Sequence, residues 1–200
     1  MADQSTAERD ESIVKERGAM MMPGAGTPER RIHEMIRVNH AGEYGATRIY
    51  AGQLAVLGRS RATARSAELV RHMAEQEDAH LEGFNEVMVD RGVRPTALIP
   101  VWHVAGFALG AATALMGERA AMACTEAVEE VIVEHYGAQE RELSEREPAL
   151  KSMIAQFKDE EAEHQHTAID EGSQTTPGHP VLAGAIKLGC RLAIRLSEKI

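Results

Sequence analysis

The sequence predicts an all-α protein built on a four-helix bundle, and three observations carry that expectation. Apolar residues recur with helical spacing from about residue 31 almost to the C-terminus, and no stretch alternates with period two for long enough to suggest a sheet. Aromatic residues make up only 4% of the chain while Ala, Leu, Met, Glu and Arg abound, a composition that favours helices over strands. A pattern of carboxylates set on apolar helix faces occurs twice along the chain.

Two hundred residues are enough to bury one substantial core. The net charge of −9 argues against nucleic acid as a partner, since such binders are usually basic. Cys124 and Cys190 have neither zinc-ligand spacing nor the density of a disulfide framework, which fits a reducing compartment. Near the N-terminus stand Asp3, Glu8, Asp10 and Glu11 with no apolar run. Residues 1–30 are therefore read as a flexible tail, neither secretory signal nor transit peptide, and residues 31–200 as the folded domain.

Helices are expected at about 31–58, 63–92, 98–116, 118–146, 149–171 and 180–199. The breaks lie at Gly92 to Pro95, at Glu147-Pro148 and from Gly172 to Pro180. On the first helix Glu43 shares a face with Ala46, Tyr50, Leu54 and Leu57. On the second, Val70, Met73, Glu77, His80, Phe84 and Val87 step by three and four and form one stripe. On the fourth, Glu129 falls with Met122, Thr125, Ile132 and Tyr136, while Glu126, Glu130 and Glu134 read as the wet face. The fifth carries Ile154, Phe157, Glu161, His164 and Ala168 on one stripe.

Chance placement gives roughly one Glu-x-x-His spacing in such a chain, and three are present: Glu77/His80, Glu161/His164 and Glu163/His166. Helix phase separates the last two. Glu163 stands about 200° around the helix from Glu161, so Glu163 and His166 face solvent while Glu161 and His164 face inward. A carboxylate on an apolar stripe must be paired, protonated or metal-bound. Core histidines salt-bridged to neighbouring glutamates are one reading of the two inward frames. The duplication favours another. Twice, at an offset of 84 to 86 residues, a helix with one inward Glu precedes a helix with an inward Glu-x-x-His.

Glu43, Glu77, His80, Glu129, Glu161 and His164 thus form the ligand set of a carboxylate-bridged dinuclear site in a four-helix bundle. Four carboxylates balance two divalent ions. Oxygen-rich ligation with one imidazole per metal suits iron or manganese better than zinc or copper, and six ligands leave positions open for dioxygen.

The segments HAGEYGATRIYAG, EQEDAHLEGFNE, GVRPTALIPVW, FALGAATALMG, AMACTEAVEE and DEEAEH, with the terminal GCRLAIRLSEKI, resemble the demethoxyubiquinone hydroxylases over about residues 31–200. These are ferritin-like di-iron carboxylate enzymes of ubiquinone biosynthesis. The resemblance implies a monooxygenase with two iron ions per chain, using O2 to hydroxylate the ring of a 2-polyprenyl-3-methyl-6-methoxy-1,4-benzoquinol. By the same resemblance Glu77 and Glu161 bridge the irons, Glu43 and His80 complete one site, and Glu129 and His164 the other. A supporting role behind the ligands for His135 and Tyr136 stands beside ordinary packing. The implied partners are the polyprenyl quinol, O2, a membrane surface and other ubiquinone-biosynthesis proteins. The acidic N-terminus suggests a bacterial-type protein, peripheral on the cytoplasmic face of the cell membrane. A ferritin-like ferroxidase or iron-binding protein is the alternative on the same ligands, and a bundle with internal salt bridges is a third reading.

The third helix belongs to a run from Pro95 to Gly117 without a charged residue, of a length that by itself suits a membrane span. A span would put Glu43 and Glu77 on one side of a bilayer and Glu129 and Glu161 on the other, so the site could not assemble. The run is read instead as the long crossover such bundles need, apolar for contact with lipid or a polyprenyl tail through Leu98, Trp102 and Phe107, or else wholly buried. On the last helix Lys187, Arg191, Arg195 and Lys199 recur every four residues opposite Leu182, Ile186, Leu192, Ala193 and Leu196. This amphipathic helix either meets anionic headgroups or is a bundle helix with a wet basic edge.

Overall fold

The computed structural model describes residues 28–143, 145 and 147–200, and residues 34–200 form one compact unit. Six α-helices occupy nearly all of the described residues, which include no strand: α1 Pro28–Leu57, α2 Ala64–Arg91, α3 Ile99–Leu115, α4 Glu118–Glu142, α5 Pro148–Asp170 and α6 His179–Lys199. The all-α expectation holds. Most of the tail expected over residues 1–30 lies outside the described residues, and α1 already begins at Pro28.

Local chemistry explains the ends of the helices. The Ser60 hydroxyl accepts from the Ala62 amide at 3.1 Å and caps the short 3-10 turn before α2. Gly92 takes the left-handed conformation at φ 62° and returns its amide to the last turn of α2, which a residue with a Cβ does less readily. Pro148 opens α5, where a missing N–H costs nothing. α4 stops at Glu142, four residues short of the expected end. Leu143 is extended there and buries its side chain, so packing ends the helix before Pro148 can.

Helices α1 and α2 are joined by a short connection, as are α4 and α5, and α3 carries the chain from the first pair to the second. The apolar faces expected from the sequence are buried: Ala46, Tyr50 and Leu57 on α1, Val70, Met73 and Phe84 on α2, Met122 on α4, Ile154, Phe157 and Ala168 on α5. Helix α4 is the hub and packs against α3, α5 and α6. Helices α1 and α3 touch backbone to backbone. A Cβ on Gly110 would overlap the Ile49 carbonyl oxygen, and one on Gly52 would overlap the Phe107 carbonyl oxygen.

One expectation about charge is corrected. Glu126, read as part of a wet face, is only 4% exposed. The α5–α6 connection folds over it: Ser173 and Gln174 donate to its carboxylate and His179 Nε2 lies 2.9 Å from Oε2. Burial alone would raise this carboxyl, but these partners hold it below the ordinary range. The basic edge of α6 is also partly engaged inside the chain. Lys187 pairs with Glu130 at 2.5 Å and Arg191 with Glu134 at 3.0 Å, so α6 and α4 meet through complementary charge.

The close α1–α3 crossing predicts a contrast between two glycines. Gly110→Ala forces the helices apart and lowers stability by about 1–3 kcal/mol, or a fall in Tm of about 2–12 °C at this chain length. Gly184→Ala, with nothing within 4 Å of its Cβ, leaves stability unchanged or raises it by up to about 1 kcal/mol of helix propensity, a rise in Tm of up to about 2–4 °C. Thermal unfolding of the two variants measures both.

Candidate metal centre

The six inward residues come together in the middle of the bundle. Glu43, Glu77, His80 and Glu161 have one donor atom each within 4.8 Å of one another, and so do Glu77, Glu129, Glu161 and His164. Glu77 and Glu161 belong to both groups, and all six residues are buried. Each helix contributes by its phase alone: α1 brings Glu43, α2 Glu77 and His80, α4 Glu129, α5 Glu161 and His164. Glu163 and His166 are exposed on the opposite side of α5, and the His166 ring turns to the Ala162 carbonyl.

The two oxygens of Glu161 divide between the two histidines. Oε1 lies 3.0 Å from His80 Nδ1, and Oε2 lies 3.0 Å from His164 Nδ1. His80 Nδ1 is also 3.7 Å from Glu43 Oε2, and His164 Nδ1 is 3.2 Å from Glu77 Oε1. Each oxygen of Glu161 thus faces one of the two imidazoles.

The electrostatics of the cluster are those of anions without enough counter-charge. Burial, then the charges of Glu161, Glu43 and Glu129, push the Glu77 carboxyl well above the ordinary carboxylate range. Burial and the charge of Glu161 raise Glu129 against the opposing hydrogen bond from Tyr50. At Glu161 burial is outweighed by the hydrogen bonds of His164 and His80, which hold it down to about 2. His80 is raised to about 11, its burial overcome by Glu161 and Glu43. Neither oxygen of Glu77 has a hydrogen-bond partner, although the residue is fully buried. A buried carboxylate without a hydrogen bond, flanked by three others and two imidazoles, fits a site for divalent metal, which would satisfy the oxygens and neutralise the charge together.

Side chains behind these six fix their orientation. Tyr50 OH donates to Glu129 Oε1 at 2.9 Å, and Tyr136 OH donates to Glu43 Oε1. His80 stacks on Phe157 with ring centroids 4.1 Å apart. Of the two residues considered for a supporting role, Tyr136 reaches a cluster carboxylate, whereas His135 joins Asn39 and Gln139 in a separate buried network. Tyr50 appears in the sequence only as an apolar-face residue. Its hydroxyl contact depends on the α1–α4 packing, which no local spacing encodes.

An apolar cavity of about 510 Å³ lies between α1, α3, α4 and α6. Its walls include Gly42 and Ala46 of α1, Trp102 of α3, Val128 and Ile132 of α4, and Cys190 of α6. None of the six cluster residues lines it, but Gly42 and Ala46 belong to the turn of α1 that carries Glu43, and Val128 immediately precedes Glu129 on α4. The volume is within the range of small-molecule sites.

Comparison with known proteins gives one consistent result. The family model described as "Ubiquinone biosynthesis protein COQ7" matches residues 30–197. A 3-demethoxyubiquinol 3-hydroxylase of Rhodospirillum rubrum is 51% identical over 179 residues, covering 90% of this chain and 83% of the relative. A human protein named NADPH-dependent 3-demethoxyubiquinone 3-hydroxylase, mitochondrial, is 50% identical over 84% of this chain and 78% of its own. The mitochondrial 5-demethoxyubiquinone hydroxylase of Saccharomyces cerevisiae is 41% identical over 84% of this chain and 78% of its own.

The two overlapping Glu-x-x-His frames of α5 are expected to behave oppositely. Glu161→Ala or His164→Ala lowers metal affinity by more than the roughly 10–100-fold that loss of a residue behind a ligand costs. Glu163→Ala and His166→Ala leave it unchanged. Metal analysis after anaerobic loading with Fe(II) and gel filtration checks this, and equal loss in both pairs contradicts it.

Proposed function

The chain belongs to the family of the ubiquinone biosynthesis protein COQ7, and from that membership and the buried cluster together we propose that it hydroxylates the ring of a 2-polyprenyl-3-methyl-6-methoxy-1,4-benzoquinol with dioxygen, at two iron ions. The observation that carries the reading is the apolar cavity lined in part from the α1 and α4 turns that carry Glu43 and Glu129. It suits a ring with a hydrocarbon tail, each buried methylene contributing about 0.8 kcal/mol. An iron-oxidising or storage role on the same ligands leaves that cavity without purpose.

The ions would be held by Glu43, Glu77, His80 and Glu161 on one side and by Glu77, Glu129, Glu161 and His164 on the other, with Glu77 and Glu161 common to both groups. The donor set, four carboxylates and two imidazoles, suits iron better than zinc or copper. Iron bound there supplies the reduction of dioxygen, which no side chain provides. One oxygen atom converts a ring C–H to C–OH, the other leaves as water, and two electrons and two protons are consumed. The printed name of the human relative makes NADPH the reductant there, and a reduced nicotinamide is the donor proposed here. Tyr50 and Tyr136 hold the carboxylates of Glu129 and Glu43 in place. The walls of the cavity exclude water from the ring and orient it.

The protein is proposed to take its substrate from a membrane surface. No helix among the described residues is long and apolar enough to cross a membrane. Val101, Val104 and Leu115 of α3 and Val181, Leu188 and Leu192 of α6 are exposed instead, on the two helices that wall the cavity. Leu98, Trp102 and Phe107, the lipid contacts expected from the sequence, are half-buried, so the outward apolar positions are their neighbours. With Lys187 and Arg191 paired to α4, headgroup attraction falls to the edge continued by Arg195 and Lys199.

Oxygen-18 labelling of the reaction of the iron-loaded protein with the quinol, O2 and reduced nicotinamide tests the chemistry. Label from 18O2 enters the product hydroxyl and label from water does not. O2 consumption with ferric mineral and no hydroxylated product would establish the iron-oxidase reading. In vesicle flotation, Val104→Glu and Leu192→Glu reduce binding to anionic liposomes, whereas the exposed Glu163→Ala leaves it unchanged. Undiminished binding by both apolar variants rules out this face as the membrane contact.

A further inference from the structure

The two histidines of the cluster have different partners on the side away from the carboxylates. His80 turns Nδ1 to Glu161 and Glu43, and its Nε2 lies 2.6 Å from Glu160 Oε2. His164 turns Nδ1 to Glu161 and Glu77, and its Nε2 lies 3.0 Å from Gln76 Oε1. The contacts are reciprocal. Glu160 stands immediately before Glu161 on α5 and reaches across to the histidine of α2, and Gln76 stands immediately before Glu77 on α2 and reaches across to the histidine of α5. The internal duplication is therefore preserved in geometry and broken in chemistry, a charged acceptor on one side and a neutral amide on the other.

From this we infer that Glu160 and Gln76 make the two metal positions unequal, the position served by Glu43 and His80 being the tighter. The inference rests on the dinuclear reading above. When Nδ1 of an imidazole binds a cation, Nε2 carries the proton and must donate it. A carboxylate acceptor draws that proton more strongly than an amide oxygen and makes the ring a better electron donor to the metal. Glu160 is also held in place for the task. Its other oxygen accepts from Gln156 Nε2 at 2.9 Å, and it is 29% exposed, so its charge is partly solvated. Phe157, stacked on His80, fixes the plane in which the hydrogen bond is made. Glu160 and Gln76 belong to neither donor group of four and act through the histidines they contact.

The variants that separate charge from orientation are Glu160→Gln and Gln76→Glu, because each keeps an acceptor oxygen in the same place and changes only its charge. Titration of the purified full chain with Co(II), followed by its visible absorption, reads the metal sites without turnover. The wild-type protein takes up two ions in unequal steps. Glu160→Gln weakens the tighter step by about 10–100-fold and leaves the other, so the two converge. Gln76→Glu strengthens the weaker step and brings the two together from the opposite direction. If both variants titrate like the wild type, the partners merely orient the rings and the inference is overturned while the dinuclear centre stands. If the wild type binds fewer than two ions, the dinuclear reading fails and this inference with it.

Discussion

Four carboxylates buried within reach of one another in an apolar interior cannot all be charged without cations among them, and this constraint organises the molecule. Solvation is denied by the packing of α1, α2, α4 and α5, and two imidazoles supply too little counter-charge. Neither oxygen of the fully buried Glu77 has a hydrogen bond, and among the described residues only the His164 ring, 3.2 Å from Oε1, stands against its charge. In the absence of metal, protons must stand in, which is why Glu77 and Glu129 are both driven upward by burial and by their neighbours. The same buried charges favour metal cations in the cluster, so burying the carboxylates would couple folding to metal binding.

The rest of the fold follows from keeping that cluster assembled and approachable. The backbone contact of α1 with α3 at Gly52 and Gly110 brings the crossover helix close, and α6 closes against α4 through Lys187–Glu130 and Arg191–Glu134. Between these helices the apolar cavity remains, walled by small residues near Glu43 and by Val128 beside Glu129. The proposed function rests on two features of one bundle: a polar centre suited to cations and an apolar space suited to a hydrocarbon.

The inward carboxylates were legible in the sequence because burial of charge breaks an otherwise apolar period, and a helix has only one phase to explain it. Phase alone separated Glu161 and His164 from Glu163 and His166, which are two residues away and on the other side of α5. What escaped depends on contacts distant in the chain. Glu126 reads as solvated until Ser173, Gln174 and His179 close over it. Lys187 and Arg191 read as a free basic edge until α4 offers Glu130 and Glu134. Glu160 and Gln76 are ordinary surface residues by composition and spacing. Only the packing of α2 against α5 turns each toward the other helix's histidine, and their place one residue before the inward Glu was the sole hint the sequence held.

Anomalous scattering at the iron edge from crystals of the anaerobically iron-loaded chain tests the central claim most directly. Two iron peaks are predicted, one among Glu43, Glu77, His80 and Glu161 and one among Glu77, Glu129, Glu161 and His164. A single peak, or iron bound only outside these six residues, would contradict the claim that paired cations complete the buried cluster.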